Sequence, residues 1–195
     1  MLPLVHNLQP QLWSEYLIEY HRQFREEKKD WPLVPVQVVT DMIKGLPIPS
    51  RFIDKLKIGD FGCGEAELSS LLEQNKVYSF DHHNILNEKI IACDMKYTPL
   101  NDGGLDVAVF SLSLMGINWI DYIREARRCL TDGGYLIIPE TTRSLHLRGS
   151  LYSNEEGRLY ELRDVLKREG FQIKSDEPRG KFIFILAHKL SFQGS

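Results

Sequence analysis

Two glycines and a series of acids carry the chemistry this sequence offers. The stretch "KIGDFGCGEAEL", residues 57–68, runs an apolar strand-like segment into Gly62 and Gly64 and then into a helix start. Glycine lets backbone approach a ligand where a side chain would collide. The helix beyond presents free N–H groups. Further acids follow: Asp81 closes "VYSFD" and Asp94 sits in "IIACDM". An acid about twenty residues past such a turn is placed to hold the hydroxyls of a ribose. Asp94 can accept from an adenine amino group, and Met95 can pack on the ring. Aspartates also cap strands and turns, but acids at successive strand ends favour a ligand.

The ligand class follows by comparison of turns. A dinucleotide fingerprint needs a third glycine; here that position is Glu67, which would repel a pyrophosphate. A phosphate-binding loop ends in Gly-Lys-Ser/Thr, which is absent. Asp60 and Glu65 beside the turn suit a cationic ligand. S-adenosylmethionine carries an ammonium, a sulfonium and a ribose, and no phosphate.

The elements that must position these residues can be read from periodicity. Residues 11–29 place Leu12, Tyr16, Ile18, Tyr20 and Phe24 among charges at helical spacing. "DWPLVP" (30–35) breaks that helix. A second helix spans 36–45, and "LPIPS" (46–50) reads as a linker. Strands are expected at 56–61, 76–81, 90–93, 105–111, 134–138, 171–176 and 181–187, with helices at 65–73, 119–130 and 157–169. "DVAVF" and "YLIIP" are continuous apolar runs, as in strands buried on both faces. The alternation predicts an α/β fold: a doubly wound, mostly parallel, seven-stranded sheet with an N-terminal helical cap. "DEPRGK" reads as a hairpin-like turn, which makes the last strand antiparallel. Residues 1–50 are expected to form a cap or lid within the same domain, 51–190 the core and 191–195 a tail.

Composition bounds the rest. The chain has 195 residues and a net charge of −3, so no global basic field draws it to nucleic acid or membrane. An RNA contact must come from a local patch. Apolar runs such as "FIFILA" (182–187) are too short to span a bilayer. The N-terminus lacks the pattern of a secretion signal. Cys63, Cys93 and Cys129 form no paired motif and read as reduced thiols of an intracellular protein, with no metal site.

"DFGCG", "CDM…PL", "DVAVFSLSLMG" and "DGGYL", preceded by "YHRQF" and "WPLVPV", resemble the nucleolar ribosomal-RNA-processing methyltransferases over about residues 20–189. That family includes nucleomethylin and the enzyme that methylates an adenine N1 of large-subunit ribosomal RNA. The resemblance implies a class I (Rossmann-like) S-adenosylmethionine fold. It places cofactor contacts at His21, Gly62, Asp81, Asp94, Met95 and Ser111, with the first helix folded over the cofactor. It implies a nuclear or nucleolar location; the lack of a basic N-terminal extension leaves the cytoplasm open. A ribonucleoprotein partner is a further expectation. The chain departs from the family pattern at Glu65, where aspartate is usual, at Ser111, where cysteine is common, and at Ser144, where phenylalanine follows the arginine.

Methyl transfer is an in-line displacement that needs alignment rather than a covalent intermediate. Attack by an exocyclic amine typically uses an Asn/Asp-Pro-Pro-aromatic motif; the corresponding place holds "SLMGIN" (113–118). Pyrimidine carbon-5 methylation needs a nearby cysteine nucleophile, and neither "SLSLMG" nor "IIPETT" has one. A ring nitrogen such as adenine N1 needs only placement. Asn118 and Glu140 are the catalytic candidates: Asn118 as a base-edge contact or a helix cap, Glu140 as a substrate-facing acid or a turn residue. Arg143, His146 and Arg148 are candidate RNA-phosphate contacts or a solvated loop. Trp31 and Trp119 can stack a base or pack the core. The leading expectation is an adenine-N1 methyltransferase of ribosomal RNA. A small-molecule or protein methyltransferase and a non-catalytic scaffold of the same fold are the alternatives, ahead of a nicotinamide enzyme.

Overall fold

The computed structural model describes residues 10–84, 87–114, 118–141 and 154–191. Among these residues the elements are α1 (Pro10–Lys29), α2 (Pro35–Lys44), α3 (Ser50–Ile53), β1 (Lys57–Phe61), α4 (Glu67–Leu71), β2 (Lys76–Asp81), β3 (Ile91–Ala92), β4 (Leu105–Val109), α5 (Trp119–Cys129), β5 (Leu130–Thr141), α6 (Glu155–Arg168), β6 (Phe171–Arg179) and β7 (Phe182–Lys189). The seven strands form one sheet in the order β3-β2-β1-β4-β5-β7-β6. β1, β2, β3, β4 and β5 pair in parallel. β7 is antiparallel to both of its neighbours, β5 and β6. The doubly wound sheet with an antiparallel last strand is the fold the alternation predicted.

Burial on both faces explains the unbroken apolar strands. Ala108, Phe110, Leu136 and Ile138 pack on one side against Trp119, Ile123 and Ala126 of α5 and Leu162, Val165 and Leu166 of α6. Val107, Val109 and Ile137 pack on the other against Val39 and Ile43 of α2, Ile53 of α3 and Leu68 of α4. Each burial of a large aliphatic side chain contributes roughly 1.5–3 kcal/mol.

Several boundaries differ from the sequence reading. The supposed linker 46–50 leads into the short helix α3, whose Ile53 is buried. The helix expected at 65–73 shrinks to α4 because Ala66 sits at φ 61°, so the turn is not complete until that residue. β5 begins at Leu130, directly after α5, rather than at 134. The hairpin turn is tighter than "DEPRGK": β6 pairs through Arg179 with Phe182, leaving Gly180 (φ 62°) and Lys181 to reverse the chain. Pro178 is accommodated because β6 is an edge strand, where a missing donor costs little.

Candidate active site

The carboxyl ends of β1, β2, β3 and β4 bring the predicted residues together. After β1 the chain turns through Gly62 at φ 75° and Gly64 at φ 57°. The amides of Gly62 and Cys63 both donate to the Phe80 carbonyl, at 2.8 and 3.0 Å. A Cβ on Gly62 would lie 2.5 Å from Ser113 Cβ and 3.3 Å from Met95 Sδ. Glycine is therefore required there both by φ and by the approach of the loop after β4. Met95 is 5% exposed, so its thioether lies on the floor of this turn.

Asp81 closes β2 and is half-buried. Its Oδ2 accepts from the Gly64 amide at 2.9 Å and its Oδ1 from the His82 amide at 2.7 Å. A carboxylate has about four acceptor positions, so both oxygens can still accept from a diol. Asp94 accepts from the Lys96 amide at 3.1 Å and pairs with Lys96 Nζ at 3.2 Å. Ser111 is half-buried, between Phe110, whose amide donates to Ile137, and the left-handed Leu112.

Helix α1 lies over the turn. A Cβ on Gly64 would meet His21 Cε1 at 3.3 Å. Burial pushes the His21 imidazole below its ordinary range, against the opposing pull of Asp81 and Glu65. Arg25 pairs with Glu65 and Lys28 with Glu67. Glu65 is thus occupied by a protein cation, which corrects the expectation that it faces a cationic ligand. Asp60 is 3% exposed, and burial pushes its carboxyl up to about 7, helped by repulsion from Asp81 and Glu67. Arg25 and Lys28 were not singled out in the sequence: they follow His21 on one helix face, but their partners on the glycine turn lie about forty residues away. Trp31 packs on Phe182 with ring centroids 5.2 Å apart, with Lys181 Nζ 4.2 Å above it. Trp119 is buried in the core, so base stacking is closed to it.

The catalytic candidates separate. Asn118 occupies the cap position of α5, yet its side chain makes no capping bond. Glu140 is 3% exposed and its Oε1 accepts from the Leu114 amide at 3.2 Å. It is a buried acceptor rather than an exposed acid. Ser113, not singled out in the sequence, donates from Oγ to the Phe61 carbonyl at 2.6 Å. Arg143, His146 and Arg148 lie outside the described residues. No group of three or more metal-ligating side chains and no helix long and apolar enough to cross a membrane occurs among the described residues. The arrangement fits a ligand with a diol: glycine backbone to lie against, the Asp81 carboxylate to accept, and a helix to cover it.

Comparison with known proteins agrees with this geometry. A family model described as "Hypothetical methyltransferase" matches residues 9–191. Ribosomal RNA-processing protein 8 of Caenorhabditis briggsae is 40% identical over 124 residues, covering 63% of this chain and 35% of the relative. The 25S rRNA (adenine(645)-N(1))-methyltransferase of Schizosaccharomyces pombe is 34% identical over 175 residues, covering 87% of this chain and 52% of the relative. The chain spans 35%, 30% and 26% of the first three curated relatives it matches. The crystal structure of Burkholderia thailandensis 1,6-didemethyltoxoflavin-N1-methyltransferase shares the fold, with a TM-score of 0.64 at 16% identity, covering 94% of this chain and 92% of that one.

Proposed function

The chain belongs to this family of hypothetical methyltransferases, and from that premise we propose that it transfers a methyl group from S-adenosylmethionine to N1 of an adenine in ribosomal RNA. The observation that carries the reading is the glycine turn flanked by Asp81 and Asp94, with Glu67 where a pyrophosphate would need glycine. S-adenosylmethionine, when bound, supplies an electrophilic methyl group on a sulfonium. Asp81 is assigned to the ribose hydroxyls, Asp94 to the adenine amino group, and Met95 and Ser111 to the pocket wall. His21 on α1 stands over the turn as part of a lid. Its imidazole, kept neutral by burial, does not repel a cationic ligand. The names of the relatives, a ribosomal-RNA-processing protein and a 25S rRNA adenine-N1 methyltransferase, support the choice of acceptor. Adenine N1 carries a free lone pair at neutral pH. The site's task is to hold nucleophile and methyl in line, about 3–3.5 Å apart.

The same relatives support a nucleolar location and a ribonucleoprotein setting as parts of this reading. The net charge of −3 favours a second one, in which the acceptor is a small molecule or a protein. The test is transfer of isotope-labelled methyl to total RNA, followed by nucleoside mass spectrometry at mild pH. Labelled N1-methyladenosine that disappears with Asp81→Ala is the expected result. Cofactor binding without any labelled nucleoside would sink the RNA reading in favour of the second.

A further inference from the structure

We propose that Glu140 is a positioning residue: its carboxyl group fixes the loop after β4 against the glycine turn and exchanges no proton with the acceptor. The proposal rests on the methyltransferase reading of the site and assigns to Glu140 the part of that site that no substrate contact explains.

The loop 111–114 is stitched at three points. The Leu112 amide donates to the Pro139 carbonyl at 3.0 Å. The Leu114 amide donates to Glu140 Oε1 at 3.2 Å. Ser113 Oγ donates to the Phe61 carbonyl at 2.6 Å. The first two tie the loop to the end of β5, and the third ties it to the end of β1. Between them Leu112 is held at φ 57°, a conformation that a branched residue occupies only when its surroundings impose it. The loop then passes so close to Gly62 that a Cβ there would overlap Ser113. Its position therefore sets the shape of the turn against which the ligand lies.

Glu140 is built for accepting rather than for proton transfer. It is 3% exposed, and Leu114, whose amide it receives, is 1% exposed. The Leu114 amide donates to its carboxyl, and the backbone amides of Thr141 and Ser113 also favour its charged form. Burial outweighs them and pushes the carboxyl up to about 8, so the acceptor works largely without a charge. Without an acceptor the buried Leu114 amide would be orphaned, and the loop would relax from its left-handed residue.

The experiment compares Glu140→Gln, which keeps an acceptor oxygen and the shape, with Glu140→Met, which keeps the volume and removes the acceptor. Hydrogen exchange over 111–114 and methyl transfer at saturating cofactor are the two readouts. Glu140→Gln is expected to keep wild-type protection and kcat within about threefold. Glu140→Met is expected to exchange its loop amides about 100-fold faster and to lose about tenfold in kcat, with cofactor affinity changed less than about threefold. Unchanged loop protection in Glu140→Met would overturn the proposal. So would loss of turnover in Glu140→Gln with its loop still protected, since the acid itself would then be needed. Should Glu140→Met not fold, wild type against Glu140→Gln decides by that second criterion. A wild-type chain that methylates no RNA would refute the functional reading, while the exchange comparison would still judge Glu140.

Discussion

Asp60, Asp81 and Glu140 stand near the carboxyl ends of β1, β2 and β5, and their surroundings give them different work. Asp81 keeps two backbone amides and a half-exposed carboxylate, so it can face a ligand. Asp60 is sealed into β1, and its carboxyl rises from 3.8 to about 7. The folded chain then binds a proton there that the unfolded chain has already released. Stability contributed by that proton is complete below pH 3.8 and is lost as pH rises to about 7. Asp60→Asn removes the dependence. Its stability relative to wild type is expected to improve between pH 5 and pH 8, by roughly 3 kcal/mol at most. Denaturant melts of both proteins at the two pH values check this, and a constant difference would reject the assignment.

At the scale of elements, α1 meets the glycine turn through charge pairs and His21, and its Phe24 packs on Trp31, which packs on Phe182. His21, Arg25 and Lys28 share a face, and the last two meet Glu65 and Glu67 on the glycine turn. Both pairs are partly exposed, so each contributes about 1 kcal/mol or less and weakens with salt. Reversing one pair with Arg25→Glu is expected to speed hydrogen exchange across 15–29, and adding Glu65→Arg is expected to restore protection. Lack of rescue by the double variant would mean that the Arg25–Glu65 pair does not dock the helix. The long strands were legible in the sequence because their apolar runs are buried on both sides. The extents of α4 and β5 were not, because a left-handed Ala66 and a helix running straight into a strand leave no periodic signal.

For the chain as a whole, the balance of charge limits how the RNA of the proposed reaction would be engaged by these residues. With a net charge of −3, attraction must come from a few local cations. Arg143 and Arg148 are the candidates the sequence offers. Each phosphate contact adds about one to the slope of log affinity against log salt. Arg143→Ala and Arg148→Ala are each expected to lower that slope by about one while leaving cofactor affinity unchanged. Binding isotherms on a ribosomal RNA fragment at several salt concentrations measure it, and an unaltered slope would remove these residues from the interface.

Local order along the chain was enough to determine the parallel sheet, the glycine turn and the acids at its strand ends. Strand burial, turn chemistry and strand-end position all follow from short stretches of sequence. Tertiary structure decided which acids stay partly exposed and which are sealed, that Glu65 pairs with Arg25, and that Ser113 and Glu140 tie one loop to β1 and β5. Those pairings join residues far apart in the chain, such as Phe61 with Ser113. Desolvation and hydrogen-bond geometry exist only once the strands carrying them lie side by side.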